Sequence, residues 1–169
     1  IIVGMYSETE MPNFASILDT YGVSLTTGPI ADNDARHYYN MGGPLYLLPN
    51  VNSSSYTGSL SGGYVYLPIS LGINYPQNST TDDTESTEES KTTYTSLLDT
   101  SDDAVAKNNP NSMQDYGYED GDDKGPFSVG LAVEDKVDND HTTQLVVFAS
   151  PYVFSDDASQ MTTNNASLF

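Results

Sequence analysis

Cysteine and tryptophan are absent from this chain of 169 residues, and five lysines and arginines stand against 24 aspartates and glutamates. Each scarcity excludes a chemistry. Without a thiol there is no disulfide framework, no thiolate zinc site and no cysteine nucleophile. A formal charge of −19 repels phosphate backbones and anionic lipid headgroups, which argues against nucleic acid as a partner. No window approaches the ~20 consecutive apolar residues that a bilayer-spanning helix needs. Walker A and G-x-G-x-x-G sequences are missing too, so nucleotide binding has no support.

What is present is enough for a core. The chain is 37% hydrophobic, with apolar runs at Ile1-Ile2-Val3 and Leu145-Val146-Val147-Phe148, and its length suits one domain of ~100–200 residues. Residues 1–5 read as a buried strand with no leader-like segment before it. Native termini seldom start inside a core strand, so residues 1–169 are expected to be a single domain cut from a longer chain. The acids are uneven: five lie in residues 1–81 and nineteen in 82–169. They cluster between apolar runs, as acids of solvated loops do.

Phe14, Ile17, Leu18 and Tyr21 recur at helical spacing, predicting a helix over 13–21 started by Pro12 or Asn13 and ended by Gly22. Val23 and Leu25 predict a short strand punctuated by Gly28-Pro29. Further strands are expected at 45–48, 64–69 (with Pro68 at an edge or end), 94–98, 127–133 and 144–150. The last two are close enough for a hairpin. Ser101-Asp102-Asp103 offers an N-cap for a short helix over 104–107. Residues 76–93 hold no apolar side chain and read as a flexible acidic insertion. Near-continuous apolar runs suggest strands covered on both faces, as in an α/β three-layer sandwich with a mostly parallel sheet and a C-terminal hairpin.

Catalytic patterns are thin. The two histidines, His37 and His141, both fall in polar stretches. There is no G-x-S-x-G elbow, and Ser150 is followed by Pro151, which has no N–H for an oxyanion hole. Paired carboxylates abound, but in loops rich in serine, glycine and asparagine instead of apolar pockets. Calcium takes clustered oxygens, and residues 115–123 supply them. Yet placing Gly121 at the sixth position of an EF-hand loop puts Tyr116 and Tyr118 where the first and third ligands belong, and Asp138-Asn139-Asp140 is too short a match. Three N-x-S/T triplets begin at Asn52, Asn78 and Asn165, as expected by chance in this composition. Tyr38 and Tyr39 beside His37, and Tyr116 and Tyr118, are amphipathic surfaces fit for a partner or ligand or for packing over the core.

Several segments together resemble the extracytoplasmic domain of the GldG-like family, auxiliary subunits of bacterial ABC transport systems first tied to gliding motility. They are MPNFASILDTYGVSLTTGPIADNDARHYYN (11–40), YLLPNV (46–51), SLLDTSDDAVAK (96–107), DGDDKGPFSVGLAVE (120–134) and TQLVVFASPYVFSD (143–156), in the family's order. The resemblance implies a flavodoxin-like or glutamine-amidotransferase-like domain on the extracytoplasmic face of the bacterial cell membrane. It implies a parent anchored by membrane segments outside this sequence, with permease and ATPase subunits as partners; no cofactor is expected. Amidotransferase relatives of such folds use a cysteine, which this chain lacks. The function expected is a non-enzymatic interaction or substrate-engaging domain; the alternatives are a cell-surface hydrolase with an unrecognised site and a calcium- or carbohydrate-binding module. Ligands of α/β sheets favour the crevice beyond the strands' carboxyl ends. That rule nominates Ser101 and Asp102 after one strand, and Ser150, Tyr152, Ser155 and Asp156 after another, alongside His37, Tyr38 and Tyr39.

Overall fold

A computed structural model describes residues 2–4, 11–60, 63–77, 92–109, 115–138, 140–161 and 163–168. Most of the expected insertion at 76–93, together with Asn78 and Asn139, lies outside them. The elements in chain order are β1 (Ile2–Gly4), α1 (Pro12–Thr20), β2 (Ser24–Asp32), β3 (Tyr46–Leu47), β4 (Asn50–Val51), β5 (Leu67–Pro68), β6 (Leu71–Asn74), β7 (Thr92–Asp99), β8 (Ala104–Ala106), β9 (Asp123–Lys124), β10 (Ser128–Lys136) and β11 (Thr142–Phe148). A 3-10 helix (Pro151–Phe154), α2 (Asp156–Met161) and α3 (Thr163–Ala166) follow. Among the described residues no helix is long and apolar enough to cross a membrane.

Among the described residues nine strands form the main sheet, in the order β1-β11-β10-β6-β2-β8-β9, with β7 pairing β10 and β4 pairing β7; β3 and β5 make a separate two-stranded ribbon. The pairing corrects the expected architecture. Among the described residues only β1 with β11 is parallel, and every other named ladder is antiparallel. The chain is therefore not a mostly parallel, flavodoxin-like or amidotransferase-like α/β sandwich.

The reason lies in β10. Its first six residues are all buried, which reads from sequence as a parallel-sheet strand. Burial on two faces is what such a run records, and here both faces are covered in an antiparallel sheet. Val129 and Ala132 belong to one apolar cluster with Leu98, Phe148 and Val153, joined by Tyr56 and Leu60 of a long loop and by Leu168 near the end. Leu131 and Val133 belong to a second cluster with Leu145 and Val147, roofed by Leu18 and Phe14 of α1. A loop and a helix do what two helical layers do in an α/β protein. The hairpin of β10 and β11 runs from Gly130 opposite Phe148 to Lys136 opposite Thr142.

Helix α1 starts with Pro12 in its first turn, where the missing N–H costs nothing. It ends at Gly22, whose φ of +67° suits a residue without a Cβ. Of the predicted apolar face Leu18 is buried and Phe14 and Tyr21 pack beside it, whereas Ile17 is 48% exposed.

Two other expectations are overturned. Gly28-Pro29 does not end β2, because the strand continues through a register shift, pairing first with β6 and then with β8. Gly28 is required there for a close approach: a Cβ on it would stand 1.7 Å from the Lys107 carbonyl oxygen. Residues 104–106 form buried strand β8, not a helix. Ser101 donates its N–H and hydroxyl to the buried Asp32 carboxylate, at 2.9 and 2.5 Å, and its Oγ accepts the Asp103 N–H at 3.2 Å, closing a turn that leads into the strand.

Candidate functional site

The backbone that enters β5 and runs on into β6 is held by hydrogen bonds on several sides. Asn165, buried in α3, holds Tyr66 by its main chain. Its Oδ1 accepts the Tyr66 N–H at 2.8 Å, and its Nδ2 donates to the carbonyls of Tyr66 (2.8 Å) and Val153 (3.1 Å). The β3–β5 ribbon places Tyr46 opposite Pro68. The Tyr46 and Tyr66 rings lie 6.2 Å apart and nearly parallel, and Tyr39 meets Tyr66 edge-on at 6.1 Å.

Ile69 follows with φ +51°. A β-branched residue in the left-handed region is strained, by about 1–3 kcal/mol, and persists only where its surroundings over-determine it. They do so here. The Ile69 N–H donates to the Leu45 carbonyl at 2.9 Å, and Ser150 Oγ donates to the Pro68 carbonyl at 2.6 Å. On the far side Ile30 N–H binds the Ser70 carbonyl (2.8 Å) and Leu71 N–H binds the Ala149 carbonyl (2.9 Å).

This bend floors a cleft of about 300 Å³ with Tyr46, Tyr66 and Tyr152 among its walls and Ser155 and Asp157 also lining it. The Ser155 hydroxyl is already engaged, donating to the Tyr152 carbonyl at 2.8 Å and accepting the Ala158 N–H at 3.2 Å. Burial above all, then the neighbouring Tyr46, Tyr39 and the Asp157 charge, raises the Tyr66 phenol above its ordinary value, so it stays neutral. A second cleft, of about 310 Å³, is lined by Arg36, Tyr38, Tyr39, Leu48 and Tyr64. Tyr39 thus lines one cleft and packs on a wall of the other. Arg36, its side chain 83% exposed, is forked onto Asp34 at 3.1 and 2.6 Å. That side-chain contact, then the Arg36 backbone N–H, holds the Asp34 carboxyl well below the usual carboxylate range.

A third cleft, of about 490 Å³, is lined by Asn74, Asp99, Phe127 and Ser128 among others. Its carboxylate is already satisfied: Asp99 accepts Asn52 Nδ2 at 2.6 Å and Ser96 Oγ at 2.5 Å.

The residues nominated from sequence are not all brought to one place. Tyr38, Tyr39, Tyr152 and Ser155 line or flank the tyrosine clefts, and Ser150 is the buried tether beneath Pro68. Asp156 is exposed in the first turn of α2, where its neighbour Asp157 lines the cleft. Ser101 is bound to Asp32, and Asp102 is exposed in the turn that follows. His37 has Nε2 3.2 Å from Asn50 Oδ1. Its Nδ1 is 3.3 Å from Asp34 Oδ2 but without the geometry of a hydrogen bond. His141, 74% exposed, is tied to Asp138 at 2.7 Å in the hairpin turn. Sequence reading missed Tyr46, Tyr66, Ile69 and Asp157. The signal available was Y-x-Y-L-P (64–68) beside Y-L-L-P (46–49), two tyrosine-bearing edge strands each stopped by proline.

The acidic loop after β8 has a different centre from the one its carboxylates suggest. Lys107, essentially buried, donates to Asp122 Oδ2 (2.6 Å), the Gly117 carbonyl (2.8 Å) and Glu119 Oε2 (3.3 Å), using all three ammonium protons. Asp122 in turn accepts the backbone N–H groups of Asn108 and Glu119, both at 3.0 Å. Burial is the largest single influence on each group and opposes its charge. The hydrogen bonds and mutual attraction outweigh it, raising Lys107 and lowering Asp122. The loop is organised by a lysine, and no cluster of three metal-ligating side chains occurs among the described residues. Tyr118 lies under the Lys124 ammonium, 4.3 Å from the ring centre, and the Tyr116 carbonyl accepts Asn33 Nδ2 at 2.9 Å.

A lowered carboxyl stabilises the fold fully above its unfolded value of 3.8 and loses that contribution as pH falls through the folded value. The stability gap between wild type and Asp122→Asn is therefore expected to be constant near neutrality and to shrink in acid. Urea melts from about pH 6 to about pH 3 measure it; a gap unchanged in acid would show that Asp122 is not ionised in the fold.

Two of the three N-x-S/T asparagines are described, and both are engaged. Asn165 is fully buried, and Asn52 donates to Asp99 and to the Ser96 carbonyl. Neither side chain is presented as a glycan acceptor.

No family model and no curated protein matches the chain. Its fold is similar to a solved structure described as the mmIFT52 N-terminal domain, with a TM-score of 0.55 and 13% identity over 92% of this chain and 53% of that one. At that identity the likeness is one of fold alone. This chain spans about half the length of that neighbour.

Proposed function

We propose that the chain is a non-enzymatic recognition domain that engages a ligand or partner at the tyrosine cleft. Its setting is the one the sequence resemblance implies, an extracytoplasmic auxiliary subunit working beside a permease and an ATPase of an ABC transport system. The observation that carries the reading is the over-determined strain at Ile69 beneath a wall of tyrosines. Backbone strain of this kind gathers at ligand clamps and active sites, and a catalytic version needs a base and a nucleophile within reach. Here the lining hydroxyl of Ser155 is engaged by backbone, and the one carboxylate of the described lining, Asp157, has neither histidine nor lysine beside it there.

The test uses the full-length parent in its own membrane. Wild type is expected to co-purify with permease and ATPase subunits. Tyr152→Ala, at a residue 46% exposed and so outside the core, is expected to lower complex yield or its ATPase rate about fivefold, roughly 1 kcal/mol of an aromatic contact. Failure of the wild type to associate, or a variant indistinguishable from it, overturns the reading.

A further inference from the structure

The cleft's chemistry narrows what it takes. Three tyrosines line it, Tyr46, Tyr66 and Tyr152; Tyr46 and Tyr66 stack on each other, and Tyr152, 46% exposed, is the ring most open to a cation, which aromatic faces attract. The one charged group among its described lining residues is the Asp157 carboxylate, and no lysine or arginine accompanies it. The Asp157 charge reaches the pocket, since it helps hold the Tyr66 phenol protonated. The net charge of −19 adds an attractive field for any cation approaching. Elsewhere the chain already seats a cation on a tyrosine, Lys124 over Tyr118.

From this juxtaposition of three tyrosines, an unopposed carboxylate and a strained, rigid floor, we infer that the cleft binds a quaternary ammonium group of the choline type. A primary ammonium carries three donors that each want an acceptor. The cleft offers one carboxylate, with Ser155 already engaged. A quaternary ammonium demands none of these bonds and takes its stabilisation from ring faces and a nearby charge. A volume of about 300 Å³ admits a headgroup of that size. The inference rests on the reading of the cleft as the recognition site and names its ligand class.

The test titrates the chain with choline, with its neutral carbon analogue 3,3-dimethylbutan-1-ol, and with tetramethylammonium, following tyrosine ring shifts by NMR in physiological salt. Choline and tetramethylammonium are expected to bind saturably and the neutral analogue about tenfold more weakly. Tyr152→Leu is expected to weaken choline about tenfold and Asp157→Asn about threefold to tenfold. Asp120→Asn, which removes an exposed acid of the Lys107 loop, leaves affinity unchanged. Equal binding of choline and its neutral analogue overturns the inference while leaving the cleft a recognition site. Choline binding that survives Tyr152→Leu overturns it as diffuse attraction to an acidic surface, as does the absence of saturable binding. The subunit-association experiment decides the broader reading separately. Should the source be lipid, vesicles of phosphatidylcholine will compete with free choline and those of phosphatidylglycerol will not; a soluble source leaves both vesicles without effect. The vesicle arms separate the two sources, and competition by phosphatidylglycerol as strong as by phosphatidylcholine overturns the inference.

Discussion

Lys107→Met is expected to destabilise the protein by about 3–5 kcal/mol, because removing one partner of a buried ion pair strands the other. Asp122, itself buried, would be left with two backbone donors and no counter-charge. Against a domain stability of about 5–15 kcal/mol that loss approaches unfolding, and it reads out as a large fall in the urea midpoint. Hydrogen exchange adds a local signature, since residues 115–124 hang on Lys107 through Gly117, Glu119 and Asp122 and should lose protection before the hairpin does. Replacing the pair together, Lys107→Met with Asp122→Leu, is expected to recover only part of the loss. Buried pairs exchanged for apolar residues are often neutral, but here the N–H groups of Asn108 and Glu119 would lose their acceptor. A cost below about 1 kcal/mol for the single variant would mean that the loop opens and Asp122 reaches water.

Asn165→Ala is the second large effect. One side chain satisfies the N–H and C=O of Tyr66 and the C=O of Val153. Each buried backbone group left unpaired costs about 1–3 kcal/mol, less than additively where water enters. A total near 3 kcal/mol is expected, measured by denaturant melts. The same change frees the C-terminal helices from the segment that carries Tyr66, so the variant is also expected to lose the upfield ring shifts of the Tyr39–Tyr66–Tyr46 stack. Full stability with an unaltered stack would show that α3 is not what positions Tyr66.

How much of this was legible in the sequence depends on which interactions are local. Helix α1 announced itself through spacing, a proline at its start and a glycine past its end, all within eleven residues. The β10–β11 hairpin was readable for the same reason. Sheet direction was not. Leu131-Ala132-Val133 gives the same apolar run whether helices or a loop cover the second face, and the loop carrying Tyr56 and Leu60 lies seventy or so positions away. Gly28 misled because glycine signals a turn and a close approach equally; only the Lys107 carbonyl beside it distinguishes them. At the candidate site, Tyr152 and Ser155 were found from their place after a strand. Tyr66 was hidden because its position depends on Asn165, ninety-nine residues later, in a triplet that sequence marks only as a glycosylation motif.

The parallel ladder of Ile2–Gly4 beside Val146–Phe148 has a mechanical consequence. Two parallel neighbours pulled from the start of one and the end of the other are loaded along the strands, so their hydrogen bonds resist together and not one after another. Tension applied to this domain by chain on both sides would first strip the helices held by Asn165 and would then meet that seam in shear. A protein clamped between flanking segments would thus keep its tyrosine cleft only up to the force that parts Asn165 from Tyr66, and its sheet to a higher one.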